Sequence, residues 1–175
     1  MNSPAPPAGP VLVGVDGRSG AGKTTLAAAL AAHLSPYARV AVLHVESFYA
    51  GWDGLEAVLD PAGPYVTALR DLGAGRAARW RAWDWHHARP GAGQRLEPAD
   101  VVVCEGVGAT SAAARPHLTL SVWLELDERM RRERALARDG GAYAPHWERW
   151  AAQEERYLAA QDPAGAADVR TSIGP

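Results

Sequence analysis

The chain has 175 residues, of which 47% are hydrophobic and 22% charged, and its formal net charge is -2. This size fits one ordinary domain, and the composition excludes a disordered or collagen-like chain, while the slightly negative charge argues against a nucleic-acid-binding domain, which is usually basic. Cys104 is the only cysteine, so an intrachain disulfide and a cysteine-based zinc site are excluded.

Residues 1–10 carry neither a basic region nor an apolar stretch, so we expect a flexible leader rather than a signal peptide, followed by a single domain over 11–175. No segment approaches the roughly 18 apolar residues that a membrane span needs. A lone cysteine is typical of a reducing compartment. We therefore expect a cytoplasmic protein with neither a membrane nor a nucleic-acid partner, and the sequence leaves its oligomeric state open.

Short apolar runs then alternate with helical patterns. In chain order the predicted elements are a strand at 11–15, a helix at 24–34, a strand at 39–45, a helix at 55–72 interrupted around Pro61, Gly63 and Pro64, strands at 101–104 and 118–126, a charged helix at 127–138 that breaks at Gly140 and Gly141, a helix at 145–160, and a short strand from Val169. This alternation predicts an α/β three-layer sandwich: a five-stranded parallel sheet flanked by helices.

Residues 73–98 depart from the alternation. They are rich in Arg, Trp and Gly and indicate an insertion that covers something rather than part of the core. Parallel sheets of this kind bind ligands at the carboxyl ends of their strands. We expect the insertion at about 73–98 to cover one side of a ligand site there, with a small lid at about 131–145 on another.

A phosphate loop is predicted between the first strand and the first helix. Residues 17–24 read Gly-Arg-Ser-Gly-Ala-Gly-Lys-Thr, which matches G-x-x-x-x-G-K-[ST] in the strand and helix context that the motif requires. Its main-chain N–H groups can converge on an anion at the positive end of a helix dipole. Lys23 is the only lysine beside 17 arginines, which indicates that an ammonium is chemically required there.

The metal side of the site is predicted from two residues. The hydroxyl of Thr24 is placed to bind Mg²⁺, and Glu105 ends the buried run 101–104, where an acid can hold Mg²⁺ directly or through water. An acid that merely ends a strand is the alternative for Glu105. The expected cofactors are ATP and Mg²⁺.

Taken together, the chain resembles the uridine kinase branch of the P-loop kinases. The elements that carry the resemblance appear in family order: the phosphate loop 17–25, His44-Val-Glu-Ser-Phe-Tyr49, Trp83-Asp-Trp-His-His87, Glu105-Gly106, and the arginine-rich segment Arg131-Arg-Glu-Arg134-Ala-Leu-Ala-Arg138-Asp139. The resemblance implies an ATP- and Mg²⁺-dependent kinase that phosphorylates an alcohol of a small molecule, with a nucleoside as the leading acceptor.

The resemblance also implies roles for individual residues. Lys23, Arg134 and Arg138 would neutralise charge during transfer, and Glu46 would orient or deprotonate the acceptor hydroxyl, unless it is only an outer metal ligand. The expected nucleotide contacts are Gly17, Ser19, Gly20, Ala21, Gly22, Lys23, Thr24, Thr25, Arg131 and Arg134. The expected acceptor contacts are Glu46, Tyr49, Asp53, Trp83, Asp84, His86 and His87.

Two positions depart from the family pattern. Glu46 stands where members carry aspartate, and Trp83 stands in place of a tyrosine, so a phenolic hydroxyl is lost. One alternative is therefore a kinase of a non-nucleoside hydroxylated metabolite or antibiotic. Another, from a different class, is a regulatory P-loop ATPase acting on a protein partner, and a third is an inactive binding module that keeps the fold.

Overall fold

Parallel strands form the centre of the protein in the computed structural model, which describes residues 9–172, the side chains of residues 139, 140 and 142 excepted. The strands are β1 (Val11–Asp16), β2 (Val40–His44), β3 (Ala78–Asp84), β4 (Arg89–Leu96), β5 (Val101–Glu105), β6 (Leu120–Glu125) and β7 (Val169–Ser172). The helices are α1 (Lys23–Leu34), α2 (Glu56–Leu59), α3 (Pro64–Gly73), α4 (Glu128–Tyr143) and α5 (Trp147–Gln161). The predicted leader lies outside the described residues over 1–8.

The main sheet has five strands in the order β2-β5-β1-β6-β7, and every neighbouring pair is parallel. Alternation along β1 divides its side chains between two cores. Leu12 packs with Leu69 and other residues of α3, whereas Val13 and Val15 pack with Ala27 of α1. Helices therefore cover both faces, and the predicted three-layer α/β architecture is confirmed.

The insertion at 73–98 folds as a hairpin of its own. Strands β3 and β4 pair antiparallel in a separate two-stranded sheet. Trp80 anchors the hairpin, because its ring stacks on Phe48 with centroids 4.8 Å apart and its indole N–H donates to Ser47 Oγ at 3.1 Å. The hairpin is thereby attached to the segment that follows β2.

The expected helix break at Gly140 and Gly141 is wrong. Helix α4 continues through both glycines to Tyr143. A glycine inside a helix costs only about 1 kcal/mol relative to alanine. The buried Tyr143 ring, which stacks against Trp52, ties the end of the helix to the body of the protein and opposes that cost.

Other bounds differ from the sequence prediction by a few residues. The second strand ends at His44 rather than at residue 45, and a short 3-10 helix, Val45–Phe48, follows it. Another 3-10 helix, Ala144–His146, precedes α5, so Pro145 lies just before that helix. Among the described residues, no helix is both long enough and apolar enough to cross a membrane.

Candidate active site

The phosphate loop joins β1 to α1, which begins at Lys23. Gly20 adopts a positive φ of 81°, and a Cβ at this position would lie 2.1 Å from the main-chain oxygen of Arg131. Only glycine fits such a turn. The loop therefore ends at a helix N-terminus whose free N–H groups suit a bound phosphate.

Lys23 is buried beside this loop, with 8% of its surface exposed, and its Nζ donates to the main-chain oxygen of Arg18 at 3.0 Å. Burial lowers the pKa of the Lys23 ammonium below its ordinary value of 10.5, and the nearby carboxylates of Glu154, Asp16 and Glu105 oppose that shift. A desolvated ammonium is stabilised by an arriving anion more strongly than a hydrated one.

Glu105 brings the end of β5 against the start of α1. Its carboxylate is buried, and Thr24 Oγ1 donates to its Oε2 at 3.2 Å. The other oxygen, Oε1, lies 2.7 Å from Nδ1 of His44. A hydroxyl beside a carboxylate is the hard oxygen donor set that Mg²⁺ prefers, so Thr24 and Glu105 fit this ion chemically.

The main chain of Ser19 forms hydrogen bonds to two helices from the C-terminal half of the chain. Its N–H donates to Glu154 Oε1 of α5 at 2.8 Å, and its carbonyl accepts from Arg131 Nη1 of α4 at 3.3 Å. Glu154 also accepts bonds from the side chains of Arg18 and Trp150, each at 3.0 Å. The phosphate loop is thus fastened to both α4 and α5.

Arg131, predicted as a nucleotide contact, is not among the residues that line the cavity described below. Its guanidinium is buried, and its Nε donates to the main-chain oxygen of Leu126 at 3.1 Å. Because these bonds direct the side chain to the backbone of the phosphate loop, Arg131 supports the loop instead of lining the space where a nucleotide would lie.

A cavity of about 1000 Å³ lies over the carboxyl ends of the central strands. Seven of the predicted nucleotide contacts line it: Ser19, Gly20, Gly22, Lys23, Thr24, Thr25 and Arg134. Arg138, Glu46 and Glu105 line the same cavity. Gly17 and Ala21 do not; a Cβ on Gly17 would lie 2.4 Å from the main-chain oxygen of Leu124, and Ala21 is fully buried.

Two predicted acceptor contacts, Glu46 and Tyr49, reach this cavity. Glu46 lies in the 3-10 helix after β2, and its side chain is exposed. Tyr49 is buried, and its hydroxyl donates to the main-chain oxygen of Val107 at 2.8 Å. Burial raises the pKa of Tyr49 well above its ordinary value of 10.0. The Tyr49 hydroxyl therefore stays protonated and its hydrogen is already used in a bond to the main chain.

The hairpin residues predicted as acceptor contacts lie outside the cavity lining. Trp83 is half-buried and packs over Gly51. The Oδ1 of Asp84 accepts the main-chain N–H groups of His86 and His87 at 3.1 and 3.0 Å, and its Oδ2 lies 2.8 Å from the His87 ring. The main-chain N–H of His87, followed by its ring, lowers the pKa of the Asp84 carboxyl below its ordinary value. Asp84 therefore shapes the turn between β3 and β4.

Asp53, also predicted as an acceptor contact, is exposed and forms an ion pair with Arg149 of α5. It is not among the residues that line the cavity. The loop containing Asp53 and helix α5 are thus connected at the surface.

Aromatic residues, two of them tryptophans that the sequence places near the presumed acceptor region, form part of the cavity wall. Trp52 and Trp85 line the cavity together with Tyr143 of α4. The Trp52 ring centroid lies 5.0 Å from that of Trp85, 5.4 Å from that of Tyr143 and 4.3 Å from that of His146. The abundance of tryptophan indicates an aromatic site, but only the hairpin geometry shows that Trp85, and not Trp83, faces it.

Asp16 is a further structural residue that sequence reasoning missed. It is fully buried at the end of β1 and accepts bonds from the main-chain N–H groups of Gly17, Gly108 and Thr110 and from the hydroxyls of Thr110 and Tyr157. An acid directly before the first glycine of the loop was the available signal. Asp16 joins the loop to the segment after β5 and to α5.

Comparisons with known proteins add an independent finding. No protein-family model matches the chain. A uridine kinase from Streptococcus equi subsp. zooepidemicus is 27% identical over 143 residues, covering 74% of this chain and 68% of that relative. A solved structure of a possible uridine kinase from Bacillus stearothermophilus aligns with a TM-score of 0.67 at 22% identity, over 95% of this chain and 91% of the other.

A second solved structure, of a candidate fructose transport system kinase from Silicibacter sp. TM1040, gives a TM-score of 0.63 at 22% identity, over 97% of this chain and 93% of the other. At these identities the two structures show a shared fold only.

Proposed function

Because this chain is a uridine kinase-like P-loop kinase, we propose that it transfers the γ-phosphoryl group of ATP, with Mg²⁺, to a hydroxyl of a small molecule, and that this acceptor is a nucleoside. The observation that carries the proposal is the cavity itself. Lys23, Thr24, Glu105 and Glu46 all face one space of about 1000 Å³, which is large enough for two ligands side by side.

Phosphoryl transfer requires mainly positioning and charge neutralisation from the protein. In the proposed reaction the main-chain N–H groups of the phosphate loop and the ammonium of Lys23 hold the triphosphate. Thr24 and Glu105 would hold Mg²⁺, which supplies charge neutralisation at the phosphates when bound. Arg134 and Arg138, exposed on α4 and lining the cavity, would offset the charge that develops on the transferred group.

Glu46 is the proposed proton acceptor for the alcohol. The oxygen of the acceptor hydroxyl bonds to the γ-phosphorus as the bond to the β-γ bridging oxygen breaks. The hydroxyl proton passes to the Glu46 carboxylate, and ADP leaves with the bridging oxygen. The Glu46 side chain lines the cavity and is exposed, which allows the longer side chain to adapt to the acceptor.

The variant Glu46→Gln tests this role. We expect turnover to fall by about 100-fold or more, in the range attributed to general bases, while ATP binding stays unchanged. The assay measures ADP release with a panel of nucleosides, and Glu56→Gln, an exposed acid on α2, is the matched control. Near-normal turnover of Glu46→Gln would end the proposal that Glu46 accepts the proton.

A second candidate function is phosphorylation of a non-nucleoside alcohol. It is favoured by the hairpin. The Asp84 carboxylate already accepts main-chain N–H groups within the turn, and Trp85 offers the cavity an aromatic face without a hydroxyl. An acceptor held by Trp85 and Trp52 needs a flat or apolar surface more than a hydrogen-bonding edge. Activity on such an alcohol, with none on any nucleoside, would favour this candidate over the first.

A further inference from the structure

His44 and Glu105 end two neighbouring strands of the sheet. They are register partners in the parallel pair of β2 and β5, so their side chains leave the sheet at the same edge. His44 Nδ1 lies 2.7 Å from Glu105 Oε1, and Thr24 Oγ1 lies 3.2 Å from Glu105 Oε2. The two oxygens of one carboxylate therefore have separate partners.

The chemistry of the pair fixes which atom carries the hydrogen. A glutamate carboxylate only accepts hydrogen bonds, so Nδ1 of His44 is the donor in this contact. The Glu105 side chain is 7% exposed, whereas that of His44 is 52% exposed. His44 thus forms the outer wall of a buried carboxylate without being a core residue.

Without this bond, nothing else described in the structure holds Oε1 of Glu105. The side chain of a glutamate has three rotatable bonds, so a carboxylate that is held only by the Thr24 hydroxyl can rotate and turn Oε2 away from the position beside Thr24. Outer partners that orient a ligating carboxylate typically contribute about 10- to 100-fold to metal affinity.

We propose that His44 is a positioning residue which holds one oxygen of Glu105, so that the other oxygen stays directed at the Mg²⁺ position beside Thr24. The inference rests on the proposed function, because it takes Thr24 and Glu105 as the holders of Mg²⁺. It assigns His44 no contact with the nucleotide or the acceptor. Loss of the His44 side chain should therefore reduce the gain in nucleotide affinity that Mg²⁺ provides.

The test is calorimetric titration of the full chain with ATP in the presence of EDTA and again with excess Mg²⁺. For His44→Ala we expect unchanged binding of ATP alone and a loss of about 10-fold in the Mg²⁺-dependent gain in affinity. Asparagine can place an amide N–H close to the position of Nδ1, so His44→Asn should recover most of the gain. Glutamine places its amide further out, so His44→Gln should behave like alanine. His33→Ala, an exposed histidine on α1, is the matched control.

The proposal is overturned if His44→Ala keeps the full Mg²⁺-dependent gain in affinity. It is also overturned if the variant loses the same factor in affinity for ATP without Mg²⁺ as for Mg-ATP, because an equal loss would indicate a general structural role. If the alanine variant does not fold, equal gains in His44→Asn and His44→Gln overturn it instead. Electron spin echo spectra of the Mn-ATP complex should show no coupling to a histidine nitrogen, because such coupling would make His44 a direct ligand. Absence of any ATP binding by the wild type would instead contradict the proposed function.

Discussion

Replacing Glu154 by glutamine tests whether α5 fastens the phosphate loop. Glu154 is 1% exposed and accepts three bonds, from the Ser19 N–H, the Arg18 guanidinium and the Trp150 indole. Its neighbour Glu155 pairs with the same Arg18, but its side chain is 62% exposed. The two acids therefore provide a matched pair in which burial is the main difference.

The expected cost follows from burial and from the number of donors. Glutamine keeps one acceptor oxygen and turns an NH₂ group towards N–H donors, so the Glu154→Gln variant leaves buried donors without partners. Breaking a buried ion pair costs about 3–5 kcal/mol, whereas an exposed pair contributes about 0–1 kcal/mol. We expect a loss of about 3 kcal/mol for Glu154→Gln and less than about 1 kcal/mol for Glu155→Gln.

Urea unfolding of both variants measures this difference as a shift in midpoint at constant slope. In a chain of this size, the loss expected for Glu154→Gln corresponds to a fall of about 6–12 °C in Tm. Equal stability of the two variants would refute the reasoning, since burial of the Glu154 network would then contribute nothing measurable.

Two further predictions concern the core and the cavity wall. The buried hydroxyl of Tyr65 donates to the main-chain oxygen of Ala109 at 2.9 Å, and burial raises the pKa of Tyr65 well above 10.0. The wild type should therefore exceed Tyr65→Phe in stability by about 1–2 kcal/mol from pH 7 to 9. This advantage should shrink above pH 10, where the Tyr65 hydroxyl ionises only in the unfolded chain. Urea unfolding at several pH values measures the difference, and a difference that stays constant with pH would contradict the prediction. Trp85→Ala should raise the KM for the acceptor by about 10-fold or more, because an aromatic face of the cavity is lost. His86 lies outside the cavity lining, so His86→Ala should change this KM by less than about 2-fold. Steady-state kinetics measures both variants, and equal KM values would show that Trp85 does not contact the acceptor.

The layers of the fold follow from local patterns. Apolar runs without alternation mark strands buried on both faces, and the phosphate loop fixes where β1 ends and α1 begins. The break expected at Gly140 and Gly141 fails because local propensity is outweighed by a distant contact: Tyr143 is stacked on Trp52, far away in the sequence.

The candidate site was predictable only in part for the same reason. Lys23, Thr24 and Glu105 belong to segments whose positions the strand pattern sets, and the structure brings them to one cavity. Arg131 and Trp83 lie outside the cavity lining because the direction of a side chain depends on helix rotation and on a bulge in the hairpin, neither of which the pattern specifies. Glu154 had no local signal, since its partner Ser19 lies 135 residues away.

Binding of Mg-ATP to the phosphate loop is the central claim, and calorimetry of wild type beside Lys23→Ala tests it most directly. We predict saturable binding at one site per chain in the wild type and a loss of about 10- to 100-fold in Lys23→Ala, because a charged group that bonds to phosphate is removed. Arg132→Ala, an exposed arginine of α4 outside the cavity lining, should bind like the wild type. Folded wild-type protein that binds no Mg-ATP, or a Lys23→Ala variant that binds it equally well, would contradict the account.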